Sequence, residues 1–190
     1  KEQYAFIYDL ATIEVDRNQL YTIDDRNNLL HRPPLVGWFR ARAPQLKPTE
    51  AFTFSLVNVH TDPDEVDREL DWLDDVFVNV RDDQRQEDDV IMLGDFNASD
   101  AKLGQLGRLP NLVCVVSNTP TTTRGAKQYD NILFSRVATT ELSGRGGVYD
   151  FLRERNLSLE QALAVSDHLP VYAEFSIYEG GIPIPIAGRE

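Results

Sequence analysis

Residues 90–93, Val-Ile-Met-Leu, are apolar at every position and stop at Gly-Asp-Phe-Asn, residues 94–97. Successive strand residues point to opposite faces, so a strand apolar throughout needs cover on both sides. Two sheets packed face to face, with helices outside, supply that cover. The run also ends abruptly in an acid and an amide, and unpaired charge inside a protein is costly. Two other segments end the same way. His60 closes Phe-Thr-Phe-Ser-Leu-Val-Asn-Val-His, and Ser166-Asp167-His168 follows Ala-Leu-Ala-Val. Together they predict one polar site at the ends of several strands.

The rest of the chain reads consistently with that plan. Tyr4–Tyr8 and Thr12–Val15 predict a hairpin, and Leu35–Arg40 with Phe52–His60 a second antiparallel pair. Asp62-Pro63-Asp64-Glu65 suits a first helical turn, and Val66, Leu70, Leu73, Phe77 and Val80 follow at helical spacing. That predicts a helix over 63–81 leading back to strand 90–93. A short helix is expected at 101–109. Strands are expected at 112–116, 131–134, 137–142 and 170–177, with a second short helix after Ser158. Trp38 and Trp72 fall in core patterns. Residues 1–178 read as one domain, and 179–190 as an extended tail.

Composition narrows the chemistry. The 190 residues carry a net charge of −12, which argues against tight, nonspecific storage of nucleic acid. Turnover of a phosphodiester is still open to an acidic protein, because divalent cations screen it. No apolar run approaches the roughly 20 residues of a membrane span. The single cysteine, Cys114, sits in an apolar run and reads as a small buried hydrophobe.

Two Asp, two His and one Asn at strand ends are the groups needed for metal-assisted cleavage of a phosphate ester. Asp95 and Asn97 flank Phe96, so both can face the site while Phe96 packs inward. Asp95 can bind metal or take a proton from water, and Asn97 can donate to a phosphate oxygen. The plainer reading of this pair is an Asx turn after a strand. Asp167 is a hard oxygen ligand suited to Mg²⁺, and His168 a base or phosphate ligand. The plainer reading of His168 is a solvated histidine at a helix end or in a loop, and of His60 a satisfied residue at a sheet edge. A catalytic imidazole needs an orienting acid, for which Glu2 and Asp130 are the candidates.

These segments resemble the endonuclease/exonuclease/phosphatase superfamily, and within it the deoxyribonuclease I branch. The similarity is carried by Lys1-Glu2-Gln3-Tyr4, Arg32-Pro33-Pro34, His60-Thr61-Asp62-Pro63, Gly94-Asp95-Phe96-Asn97-Ala98, Tyr129-Asp130-Asn131-Ile132 and Ala162–His168. The resemblance implies a mixed α/β fold, a four-layer α/β/β/α sandwich of two mostly antiparallel sheets. It implies phosphodiester hydrolysis with Mg²⁺ or Mn²⁺, by a monomer that meets DNA transiently as substrate. Glu2 would orient His60, and Asp130 would orient His168. Asp95 and Asn97 would position nucleophile and phosphate, Asp95 and Asp167 would hold metal, and Arg32, Asn97 and Tyr129 would touch substrate. Structural calcium is suggested by Asp24-Asp25 and Thr119–Thr123, which partly match calcium-binding loops of that branch.

Family members open with a strand ending in Asn and a strand bearing a metal-binding Glu, and neither is seen here. The resemblance therefore implies a domain incomplete at its N-terminus. Two other functions fit the same residues. One is a phosphodiesterase or phosphatase acting on a lipid or inositol phosphate. The other is a non-catalytic binding module with an incomplete metal site.

Overall fold

The computed structural model describes residues 2–42, 47–85 and 87–181. Its central strand is the one that most constrained the sequence. Strand β4 (Val90–Asp95) lies between β3 (Thr53–His60), parallel to it, and β6 (Asp130–Ser135), antiparallel to it. With β1 (Ile13–Thr22), β2 (Leu35–Ala41) and β5 (Leu112–Cys114) they form a six-stranded sheet in the order β1-β2-β3-β4-β6-β5. The single parallel pair exists because a helix, α1 (Val66–Arg81), carries the chain back from the end of β3 to the start of β4.

Both faces of β4 are covered, as its composition requires. Val90 and Met92 join Val57, Val59, Val36 and Leu133 against Leu70, Leu73, Phe77 and Val80 of α1. Burying each of these larger side chains contributes about 1.5–3 kcal/mol. Ile91 faces the other way, with Ile132, Phe134 and Phe52, onto Leu142, Val171, Ala173 and Phe175. The last four belong to β7 (Leu142–Val148) and β8 (Val171–Phe175), which pair as a second, two-stranded antiparallel sheet. Two short helices, α2 (Phe151–Glu154) and α3 (Leu159–Val165), lie between β7 and β8 in the chain. Ser158 caps α3 in a capping box with Gln161. The fold class is thus a mixed α/β sandwich of two packed sheets with a helix outside.

Several expected elements differ. Tyr4–Tyr8 joins no ladder and is held by its side chains instead. Phe6 and Tyr8 stand edge-on to Phe39, with centroids at 5.2 and 6.0 Å. Strand β1 runs on to Thr22 through polar Asp16–Gln19. That stretch is an exposed edge with a register shift, so no alternation marks it. Residues 101–109 form two 3₁₀ turns, Asp100–Lys102 and Leu106–Arg108, on either side of Gly104 at φ +56°.

The strand expected at 137–142 begins only at Leu142. Ala138 and Thr139 turn back to bond Ser135 O, and β7 continues through glycines that hide it from pattern reading. Gly146 is needed there, since a Cβ would lie 2.5 Å from Val115 Cγ1. Trp72 is on the outer face of α1 and 37% exposed, not in the core. Residues 182–190 of the expected tail lie outside the described residues.

Candidate active site

Register builds the site. His60 is the partner of Asp95 across β3 and β4, and Asp95 is the partner of Asp130 across β4 and β6. Register partners share a face, so these three side chains stand side by side at one end of the sheet, strands about 4.8 Å apart. Gly94 permits the close approach of β4 to β3. Its φ is +142°, and a Cβ would sit 1.9 Å from Val59 O.

Each imidazole has a carboxylate behind it. Glu2 Oε2 is 3.0 Å from His60 Nδ1, and His60 Nε2 points towards Asp95 Oδ2 at 3.6 Å. The His60 backbone is also held, by N–H donation to the Tyr4 hydroxyl at 3.0 Å. Arg32 donates through Nε to Glu2 at 2.7 Å and through Nη1 to the carbonyls of His60 and Thr61, both at 3.1 Å. Its Nη2 has no protein partner among the described residues.

His168 arrives from outside the sheet, on the loop after α3. Thr123 N–H donates to Asp167 O, and Leu169 N–H to Thr121 O, which fasten that loop to residues 121–123. His168 Nδ1 then lies 2.8 Å from Asp130 Oδ2 and 3.8 Å from Asp95 Oδ2. Thr121, fully buried, donates to the same Asp130 oxygen at 2.6 Å. Its hydroxyl in turn accepts from the backbones of Tyr129 and Asp130. The Tyr129 ring stacks on His168, with centroids 6.0 Å apart.

Burial disfavours the charged imidazole, but Asp130, Asp95 and Asp167 outweigh it and hold His168 above the usual histidine range. Burial also raises Asp130, against the opposing effects of Thr121 and His168. The pair therefore keeps a proton to higher pH than a free imidazole would.

The Asx turn expected as the plainer reading is also present. Asp95 Oδ1 accepts from Asn97 N at 2.8 Å, while Oδ2 remains turned to both imidazoles. Asn97, at φ +48°, donates through Nδ2 to Thr61 O, so its Oδ1 has no donor among the described residues. Ligand atoms of Asp95, Asp130 and His168 all lie within 4.8 Å of one another, a donor set of two carboxylates and an imidazole that could hold a divalent cation. Asp167 is exposed and lies outside that trio. A cleft of about 440 Å³ opens beside the row, lined by Glu2, Tyr4, Arg32, Asn58, His60 and Asp95.

Thr121 and Tyr4 are the positioning residues that sequence reading missed. The threonine-rich loop was visible in the sequence, but only as a weak calcium motif. In the structure its hydroxyls are spent elsewhere: Thr121 on Asp130, Thr123 on Ser166 O and Thr119 on Ser117 O. Asp24 pairs with Arg26, and Asp25 accepts from Leu29 and Leu30.

Two packed sheets with this end-of-strand row have the fold of the endonuclease/exonuclease/phosphatase superfamily. The catalytic domain of human Nocturnin shares it, at 15% identity and a TM-score of 0.53, over 90% of this chain and 62% of that one. In sequence the chain is similar to proteins named as deoxyribonucleases. It is 37% identical over 188 residues to deoxyribonuclease-1-like 1 of Sus scrofa, covering 93% of this chain and 56% of the relative. It is 34% identical over 185 residues to deoxyribonuclease gamma of Rattus norvegicus, covering 90% and 58%. The chain thus spans somewhat more than half the length of these relatives. No family model matches it.

Proposed function

We propose that this chain carries the two-imidazole part of a metal-dependent phosphodiesterase that cleaves DNA, within one domain spanning residues 1–178. The observation that carries the reading is the convergence of two carboxylate-backed histidines on Asp95. Glu2 and Asp130 each engage Nδ1, which leaves both Nε2 atoms for the substrate side. In in-line attack by water, Asp95 and His60 are placed to orient the water and take its proton. His168, kept protonated by its carboxylates, holds a proton for a phosphate or leaving oxygen. Asn97 and Tyr129 flank that position, and Arg32 Nη2 offers a donor to a neighbouring phosphate. Asp95, with the exposed Asp167 next to His168, would hold Mg²⁺ or Mn²⁺. Such an ion neutralises charge developing on phosphate oxygens. The 34–37% identity to proteins named as deoxyribonucleases favours DNA over other phosphodiesters.

The test is nicking of supercoiled plasmid with Mg²⁺ and with chelator, beside sphingomyelin and inositol phosphates. Metal-dependent nicking that disappears in His60→Ala and His168→Ala is expected. Nicking that survives both substitutions overturns the mechanism, and preferential hydrolysis of a lipid or inositol phosphate overturns the substrate. A protein inert on all three is a binding module.

A further inference from the structure

The opposite end of β4 holds acids that the proposed reaction does not use. Asp89, just before β4, and Glu141, just before β7, are each 2% exposed. Glu179 follows β8 at the surface. Ligand oxygens of these three lie within 4.8 Å of one another. Buried Glu87 stands beside them, accepting from Trp38 Nε1 at 3.0 Å and from Asp89 N at 3.1 Å.

Part of this acidity is answered from within. Gly180 N–H donates to Glu141 Oε1, and Thr53 N–H to Glu179 Oε2. The remainder is not. Asp89 Oδ1 and Glu141 Oε2 are buried without a hydrogen-bond partner among the described residues. No Lys or Arg among the described residues pairs with any of the four acids. A separate group points the same way. The Thr139 hydroxyl, on a residue 2% exposed, lies against Asp89, towards which it can donate, and makes no hydrogen bond of ordinary geometry among the described residues.

Buried, unpaired carboxylates cost several kcal/mol each, and crowding them adds repulsion. Burial and the acids around it push Asp89 up to about 8. A doubly charged cation matches a set of crowded carboxylates without Lys or Arg partners. Few waters can reach two fully buried carboxylates. That disfavours Mg²⁺, which gives up water reluctantly, and favours Ca²⁺, which takes six to eight mixed oxygens.

We propose that Asp89, Glu141 and Glu179, with the Thr139 hydroxyl as neutral ligand, form a structural site for a hard divalent cation of the calcium type. The site would join the start of β4 in the large sheet to the flanks of β7 and β8 in the small one. It clamps the two sheets at the end away from the imidazoles, and does not depend on the nuclease reading.

The test uses an Asp95→Asn background, which removes a ligand from the metal cluster at the imidazole end. Isothermal titration with Ca²⁺ should show one bound ion, and the thermal midpoint should exceed that in chelator by several degrees. Tb³⁺ should give emission sensitised by tryptophan, because Trp38 touches Glu87, and Ca²⁺ should quench it by displacement. All three responses should vanish in Glu141→Gln. Absence of Ca²⁺ uptake in the Asp95→Asn protein, or uptake that survives Glu141→Gln, overturns the site. If Glu141→Gln does not fold, Thr139→Val decides: removing one neutral ligand should weaken Ca²⁺ binding about tenfold, and unchanged affinity overturns the proposal.

Discussion

Asp89 and Asp95 bracket one strand, and the two ends of β4 treat the same side chain in opposite ways. Asp95 is half-buried and faces two imidazoles, at 3.6 and 3.8 Å. Asp89 is fully buried, faces Glu87, Glu141 and Glu179, and is pushed up to about 8 by that burial and those charges. The lesson is that a carboxylate at a strand end is defined by what the neighbouring strands bring to it. β3 and β6 bring His60 and Asp130 to one end, and β7 and the chain beyond β8 bring acids to the other. One end sets imidazoles among its carboxylates, the other carboxylates alone.

The comparison can be broken most forcefully at the imidazole end. His60→Ala and His168→Ala should each lower plasmid nicking by about 10²–10⁴-fold. Neither should alter the Ca²⁺-dependent thermal midpoint, so a parallel loss of both would mean that the two ends are not independent. Gly94→Ala should destabilise the protein by about 3 kcal/mol or more, read from urea unfolding, because its Cβ meets Val59 O and its φ is left-handed. Glu2→Gln and Asp130→Asn keep shape but weaken the hold on each Nδ1. Each should cost about 10–100-fold in nicking. Asp130→Asn should be the more damaging, since Asp130 is half-buried and bonded to Thr121 whereas Glu2 is exposed.

The acid end responds to pH. The folded value of Asp89 lies above its ordinary 3.8, so its contribution to stability is present below about pH 4 and is lost as pH rises towards 8. In chelator the thermal midpoint should therefore fall across that window, with Glu87, Glu141 and Glu179 facing the same charge. Asp89→Asn should flatten the fall and leave nicking within about twofold, as a substitution remote from the reacting groups. A flat profile in the unmodified protein would remove the contrast between the ends. The smallest effect is expected far from both: Ser158→Ala, which breaks the α3 capping box, should cost about 1 kcal/mol.

Strands β2, β3, β4 and β6 and the apolar stripe of α1 were legible in the sequence, because alternation and helical spacing record which face of an element is buried. The polar endings at His60, Asp95 and Asn97 were legible too, since such groups are expensive where a strand should close quietly; His168 was legible as a polar group after an apolar run, but that run is helix α3 and not a strand. Edge strand β1 and glycine-bearing β7 were not. Their residues either face water or carry no side chain, so periodicity has nothing to record.

What the sequence by itself determined is therefore the two-faced sheet and the inventory of chemical groups at its end. Tertiary structure alone decided who meets whom. It set His60, Asp95 and Asp130 in one row by register, and brought His168 to Asp130 through loops sewn at residues 121–123. It left Asp167 exposed and shut Asp89 and Glu141 away from water. Strand register and loop docking join residues far apart in the chain, and no local pattern of side chains encodes which distant carboxylate will lie across from a given atom.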